Sequence, residues 1–225
     1  MKLGIVSDVH CQDEHLQLTV RALIDEGVDE ILCAGDAHYE YRLSNEVAEI
    51  IRDNNIRYIQ GNHEWVLMGP HGKGARSAPH VRQSNLDFIG NTPDEIRTTV
   101  NGKSLLMVHS TPWPPKGHYL YAGDPLFQRC EELDADYLIL GHTHVPMVER
   151  IGRTLVINPG SLTFTREPGA YGMLSYAILD TTTDEVTMKH PPKDPEAYKV
   201  RDTPDPTLIA ESVSNSDPES IAQSS

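Results

Sequence analysis

Short, β-rich apolar runs alternate with longer amphipathic stretches through the first 140 residues, and this limits the fold more than any other feature. KLGIVSD, residues 2–8, reads as a strand. From Glu14 to Glu26, Leu16, Val20, Leu23 and Ile24 recur at helical spacing. EILCAGD, residues 30–36, is a second strand. Ser44 is placed to cap a helix through Arg52, with Glu46 and Glu49 near its start. IRYIQGN, residues 56–62, is a third strand. Such repetition predicts βαβ units.

The pattern then changes. IRTTV and SLLMVHS flank Asn101-Gly102-Lys103, a hairpin signal. DYLILGH, VPMVERI, TLVINPG, MLSYAILD and EVTMKH follow as strands with short turns, so the second half is expected to be richer in antiparallel pairs. The whole reads as one α/β domain over residues 1–190, with two sheets face to face and helices outside. From Pro191 the composition shifts: six of the 16 prolines lie there, with three bases against seven acids. Residues 191–225 therefore read as an acidic, Pro/Ser-rich disordered tail.

The 225 residues carry 19 bases and 33 acids, a net charge of −14. An acidic surface repels phosphate backbones, which argues against nucleic acid and anionic membranes as partners. The three cysteines, Cys11, Cys33 and Cys130, are too few and too far apart for a disulfide framework or a CxxC zinc pattern. With no signal peptide or membrane span visible, the expected location is the cytoplasm. A homo-oligomer stays open.

Each strand of the βαβ half stops on polar groups of one chemical kind. The first ends in Asp8-Val9-His10, the second in Gly35-Asp36, the third in Gly61-Asn62-His63-Glu64. Val108-His109 and Gly141-His142-Thr143-His144 follow. Ligands bind at the carboxyl ends of strands in open α/β sheets, so Asp8, His10, Asp36, Asn62, His109, His142 and His144 should meet at one edge. Oxygen and imidazole donors without thiolates suit ions such as Mn²⁺, Zn²⁺ or Fe²⁺. On extended chain, Asp8 with His10 and His142 with His144 would point the same way and act as pincers. The glycines before Asp36, Asn62 and His142 would permit sharp turns and close backbone approach. Seven donors are too many for one ion, and two ions sharing Asp36 would use them all.

SDVH, GDAH, GNHE, the His of MVHS, and GHTH resemble the five ordered blocks of the calcineurin-like metallophosphoesterase superfamily. INPGS, residues 157–161, resembles its YfcE-type single-domain phosphodiesterase subgroup. The resemblance spans most of residues 1–190. It implies a four-layer α/β/β/α sandwich of two mixed sheets, with two divalent metal ions: manganese first, then zinc, iron, nickel or cobalt. Asp8, His10, Asp36 and His144 would hold one ion; Asp36, Asn62, His109 and His142 the other; His63 would be the catalytic imidazole. The implied reaction is hydrolysis of a phosphodiester or phosphomonoester by a metal-bridging hydroxide, with His63 as general acid. The diester is favoured.

The sequence departs from the serine/threonine protein phosphatases of this superfamily. Where they carry GDxVDRG, this chain reads GDAHYEY, with Tyr39 matching their His-orienting Asp and Glu40 their Arg. Gln60 replaces the Arg before GNHE. These changes argue against that type of protein phosphatase and leave open what orients His63. His38 reads as a surface residue, and Cys11 as pointing away from the donors. Two loops are candidates for substrate contact. Residues 68–82, glycine-rich and read as mobile, offer Lys73, Arg76 and Arg82. Residues 110–121 offer Trp113 for stacking, with Lys116 and His118. Arg166 is a further candidate. The expected partner is a small phosphorylated substrate. The rival readings are a non-catalytic metal-binding scaffold of the same fold and a metal-dependent nuclease.

Overall fold

The computed structural model of the chain describes residues 1–166, 169 and 173–192. The βαβ alternation becomes β1 (Lys2–Val6), α1 (Asp13–Asp25), β2 (Glu30–Cys33), α2 (Asn45–Asp53) and β3 (Arg57–Tyr58). Ser44 caps α2 as expected, its side chain accepting from the Val47 N–H. Then come α3 (Asn62–Met68), α4 (Lys73–Arg76) and α5 (Gln83–Gly90). Seven strands follow: β4 (Glu95–Val100), β5 (Lys103–Val108), β6 (Tyr137–Ile139), β7 (Met147–Ile151), β8 (Thr154–Asn158), β9 (Tyr176–Asp180) and β10 (Glu185–Lys189).

The strands form two five-stranded sheets, ordered β10-β9-β1-β2-β3 and β4-β5-β6-β8-β7. β1, β2 and β3 run parallel. The predicted hairpin joins β4 to β5, with Asn101 and Gly102 both at positive φ. The second half is less antiparallel than its short turns suggest, because β6 lies parallel to both β5 and β8. Its neighbours are set by the crossover between β5 and β6, which strand patterns alone do not encode.

Alternation along the strands sorts side chains into layers. Leu3 and Ile5 of β1 meet Leu105, Met107, Tyr137, Ile139 and Ile157 in the core between the sheets. Val6, Ile31 and Cys33 face the other way, onto Leu16, Val20 and Leu23 of α1 and Val47 and Ile51 of α2. Leu106, Val108 and Leu138 face the outer side of the second sheet, covered by Trp113, Leu120, Phe127 and Cys130. This outer layer is a 3₁₀ helix, Pro125–Glu132, with its preceding loop, rather than an α-helix. Burying each such side chain stabilises the fold by about 1.5–3 kcal/mol.

Met1–Pro192 forms one unit. Apart from Pro191 and Pro192, the predicted tail lies outside the described residues. The glycine-rich segment 68–82, expected to be a mobile loop, contains a 3₁₀ turn at Pro70–Gly72 and α4. Among the described residues no helix is long and apolar enough to cross a membrane.

Candidate metal centre

The seven predicted donors lie just beyond the carboxyl ends of β1, β2, β3, β5 and β6. Six are buried and Asn62, the first residue of α3, is half-buried. Asp8, His10 and His144 form one cluster of donor atoms, and Asp36, His109 and His142 another. His10, Asp36 and His63 form a third, which links the first two.

The local backbone is not the extended chain expected of the pincers. Asp8, His10, Asp36, His142 and His144 all have φ between 45° and 68°. In this left-handed region a side chain crowds its own backbone, at a cost of about 1–3 kcal/mol per residue. Five of the nine described non-glycine residues with positive φ are therefore predicted donors. The strands run out into tight left-handed turns, and those turns aim the side chains.

Two glycines make the approach possible. A Cβ on Gly61 would lie 2.1 Å from Asp36 Oδ1, and one on Gly141 would lie 2.0 Å from Ser7 Oγ and 2.8 Å from Asp8 Oδ2. No larger residue fits at either position without displacing the donors.

Three of the four histidine donors turn one ring nitrogen to a backbone carbonyl. His109 Nδ1 lies 2.7 Å from Ala34 O, His144 Nδ1 3.0 Å from Phe164 O, and His142 Nε2 3.1 Å from Gly117 O. Donating there fixes the tautomer and points the other nitrogen's lone pair inward. The inward nitrogens sit among carboxylate oxygens and a second imidazole. His109 Nε2 is 3.0 Å from Asp36 Oδ2 and 3.2 Å from Asn62 Oδ1. His144 Nε2 is 3.1 Å from Asp8 Oδ1 and 3.2 Å from His10 Nε2. The Asn62 side-chain amide sits among His109 Nε2, His142 Nδ1 and Asp36 Oδ2. Asp8 Oδ1, fully buried, has the His144 and His10 ring nitrogens as its neighbours, at 3.1 and 3.8 Å. Buried acceptors facing acceptors are costly, and a cation among them removes the cost. The donor set fits divalent ions.

The electrostatics agree. Burial would push His109 down, but the neighbouring Asp36 carboxylate raises it to about 10. A proton there stands where a cation would. Burial raises Asp36 and Asp8, yet the histidines around them hold both below the usual carboxylate range. Burial pushes His10 and His142 down to about 4, so these rings stay neutral and able to coordinate.

His63 sits at the edge of the cluster, its Nε2 3.8 Å from Asp36 Oδ2. Its Nδ1 pairs with Glu40. Burial lowers the imidazole's proton affinity, but the Glu40 hydrogen bond and the Asp36 charge outweigh it and raise the pKa. The partner missing at Tyr39 is therefore supplied one residue later. Glu64, also overlooked in the sequence, is fully buried and accepts from the N–H groups of Asp36 (2.9 Å), His38 (2.7 Å) and Gly61 (2.8 Å). It ties the Asp36 turn to the start of α3. Burial and the Asp36 charge push it up to about 7.

The candidate substrate contacts divide. Trp113 is 7% exposed, packed under the second sheet with the Arg129 guanidinium 4.5 Å from its ring, and has no free face for a substrate. Apolar neighbours drew it inward. Arg76 donates to the carbonyls of Leu67 and Gly69 at the end of α3. Arg82 pairs with Glu49, and Lys116 with Asp94 at 2.6 Å. Lys73 is exposed on α4, and His118 is exposed in the 110–121 loop. Arg166 alone of these candidates joins the site, its guanidinium 5.1 Å from the Tyr119 ring and 5.8 Å from Phe164. Tyr119 in turn stacks on His142 at 4.1 Å, and Phe164 lies 4.3 Å from His144. Nothing in HYLY or LTFT marked these two rings out. His38, read as a surface residue, is fully buried, with Nδ1 accepting from Ser44 N–H. Cys11 turns away from the donors, its thiol on Arg42 O.

The family model of the calcineurin-like phosphoesterase superfamily domain matches residues 1–184. YsnB of Bacillus subtilis, named a probable metallophosphoesterase, is 29% identical over 84% of this chain and 89% of its own. The phosphodiesterase YfcE of Escherichia coli is 41% identical over 46 residues, 20% of this chain and 25% of its own. A metallophosphoesterase crystal structure from Sphaerobacter thermophilus superposes with a TM-score of 0.68 over 86% of this chain and 90% of that one. At 24% identity it speaks to the fold alone.

Proposed function

Because the chain belongs to the calcineurin-like phosphoesterase superfamily, we propose that it hydrolyses a small phosphoester with the help of two divalent cations, manganese first among them. The observation that carries this reading is the convergence of buried acceptors on one another at the strand ends. Asp8, His10, Asp36 and His144 would hold one cation. Asp36, Asn62, His109 and His142 would hold the other, with Asp36 shared. Bound there, the cations would supply Lewis acidity toward the phosphoryl oxygens and an activated water.

The chain's own groups do the rest. His63 faces the centre through Nε2 and gives its proton to the departing alkoxide oxygen. Glu40 holds the ring by Nδ1 and favours its doubly protonated form. Glu64 fixes the backbone that carries Asp36 and Gly61. Arg166 meets the substrate's charge at the mouth. Among the described residues it is the one cation stacked on the rings of the site. A single guanidinium suits the single charge of a diester better than the two charges of a monoester, so a phosphodiester is the preferred substrate. The buried, unpaired cysteines suit a reducing compartment, the cytoplasm.

The test loads purified protein with Mn²⁺, Ni²⁺ or Zn²⁺, counts bound ions by elemental analysis, and compares bis-p-nitrophenyl phosphate with p-nitrophenyl phosphate. Two ions per chain and faster cleavage of the diester are expected. A protein that retains no ion and cleaves neither ester would end the proposal.

A further inference from the structure

Residues 158–165, from the last residue of β8 onward, hold none of the seven donors, yet their side-chain protons go to the segments that do. Asn158 is fully buried, and its amide donates to Gly141 O at 2.6 Å and to Thr143 Oγ1 at 3.1 Å. Ser161, 1% exposed, donates to Asp8 O at 2.9 Å. Thr163 Oγ1 donates to Val9 O at 2.6 Å, and Thr165 Oγ1 to His144 O at 3.2 Å. Phe164 O lies 3.0 Å from His144 Nδ1. Ser161 Oγ also closes the turn of its own segment, accepting from the N–H groups of Thr163 and Phe164. A hydroxyl has a single proton, and this one leaves the segment for Asp8.

Donors on left-handed backbone stay there only when their surroundings hold them. The Asp8–His10 turn is gripped from two sides. Asp8 N–H and His10 N–H donate to Gly35 O and Asp36 O, both at 3.0 Å. Asp8 O and Val9 O accept from Ser161 and Thr163. The same segment holds His144 through Phe164 O and Thr165, so it joins two donor segments whose histidines stand 134 positions apart. The other donor cluster is anchored elsewhere: Asp36 N–H by Glu64, His109 by Ala34 O, and His142 by Gly117 O.

We propose, resting on the two-cation reading, that Ser161 and Thr163 are positioning residues for the cation held by Asp8, His10, Asp36 and His144. They fix the turn that carries Asp8 and His10 against the segment that holds His144. The affinity of that cation therefore depends on the two hydroxyls, and the affinity of the other cation does not.

Mn²⁺ titration of the metal-free protein, followed by calorimetry and electron paramagnetic resonance, tests this. Thr163→Val removes the hydroxyl and keeps the shape. Val9 O retains the Gln12 N–H at 3.0 Å, so no carbonyl is stranded. One of the two Mn²⁺ affinities should fall by about 10–100-fold while the other holds. At Mn²⁺ that just fills both parent sites, the spectrum of a coupled pair should give way to that of an isolated ion. Adding His10→Ala should leave this remaining ion in place, and adding His142→Ala should remove it. Thr163→Ser, which keeps the hydroxyl, should behave as the parent, and Ser161→Ala should repeat the loss. Unchanged affinities in Thr163→Val and Ser161→Ala, or equal weakening of both ions, overturn the assignment. So does a Thr163→Ser protein as weak as Thr163→Val, or a remaining ion that depends on His10. Two ions in the parent would then leave the two-cation reading standing. A parent that binds no Mn²⁺ removes both together.

Discussion

At the end of the sheets where β1, β2, β3, β5 and β6 run out, buried acceptors face buried acceptors on left-handed backbone. At the opposite end of the same strands, charges meet their opposites. Lys103 begins the strand that leads to His109, and Tyr137 begins the one that leads to His142. Both side chains pair with Asp184, in the turn between β9 and β10, and Arg150 adds a contact at 3.5 Å. One strand thus has a self-satisfied end and an unsatisfied one. The difference teaches where to look for function: stability is gained where polar groups find partners within the fold, and a ligand is called for where they do not.

The largest expected effect breaks the unsatisfied end. Asp36 touches both donor sets, so Asp36→Asn should lower the bound metal from two ions to at most one. Turnover should fall by more than the 10–100-fold typical of losing an outer partner. The parent protein should gain about 2.7 kcal/mol of stability for each ion bound when Mn²⁺ is present at 100 times that site's dissociation constant, read as a rise in Tm. The variant should gain far less. A variant that still holds two ions per chain would remove Asp36 from its shared position.

Much of that end was legible in the sequence because metal binding needs particular atoms, and Asp, His and Asn announce them. Strand–helix alternation then placed the donors on one edge. What stayed hidden depended on backbone and packing. The left-handed turns at Asp36 and His142 leave no mark in residue type, because glycine, the usual sign of such a turn, sits beside the donor rather than at it. Trp113 was misplaced for a related reason. Its flanking prolines resemble a surface loop, while its ring finds Leu120 and Phe127 only after the crossover folds back. Glu40 was hidden by register: a carboxylate one residue later than expected reaches His63 by its longer stem.

A smaller effect separates catalysis from metal binding within the same end. His63→Ala should retain both ions and slow turnover by about 10²–10⁴-fold, measured with saturating Mn²⁺. Glu40→Gln keeps the shape and loses the charge that favours the protonated ring. It should slow turnover by roughly 10–100-fold, and more for alkyl esters than for p-nitrophenyl esters, whose leaving group needs less help from a proton. Equal slowing of both ester types in Glu40→Gln would make Glu40 a packing residue rather than a positioning one.

The smallest effect tests the other end and carries the opposite signature. Tyr137→Phe removes one hydroxyl from Asp184 and leaves the ring in the inter-sheet core, where Tyr137 is 1% exposed. The lost hydrogen bond is worth about 1 kcal/mol, and Lys103 and Arg150 still hold the Asp184 carboxylate, so no buried charge is stranded. Chemical denaturation should show that loss as a lower midpoint with an unchanged slope. Metal content and turnover should stay at the parent's values, because the strands reach the donor end through a core the substitution does not alter. A drop in turnover without loss of stability would mean that the two ends are coupled through β6, and the contrast between them would no longer hold.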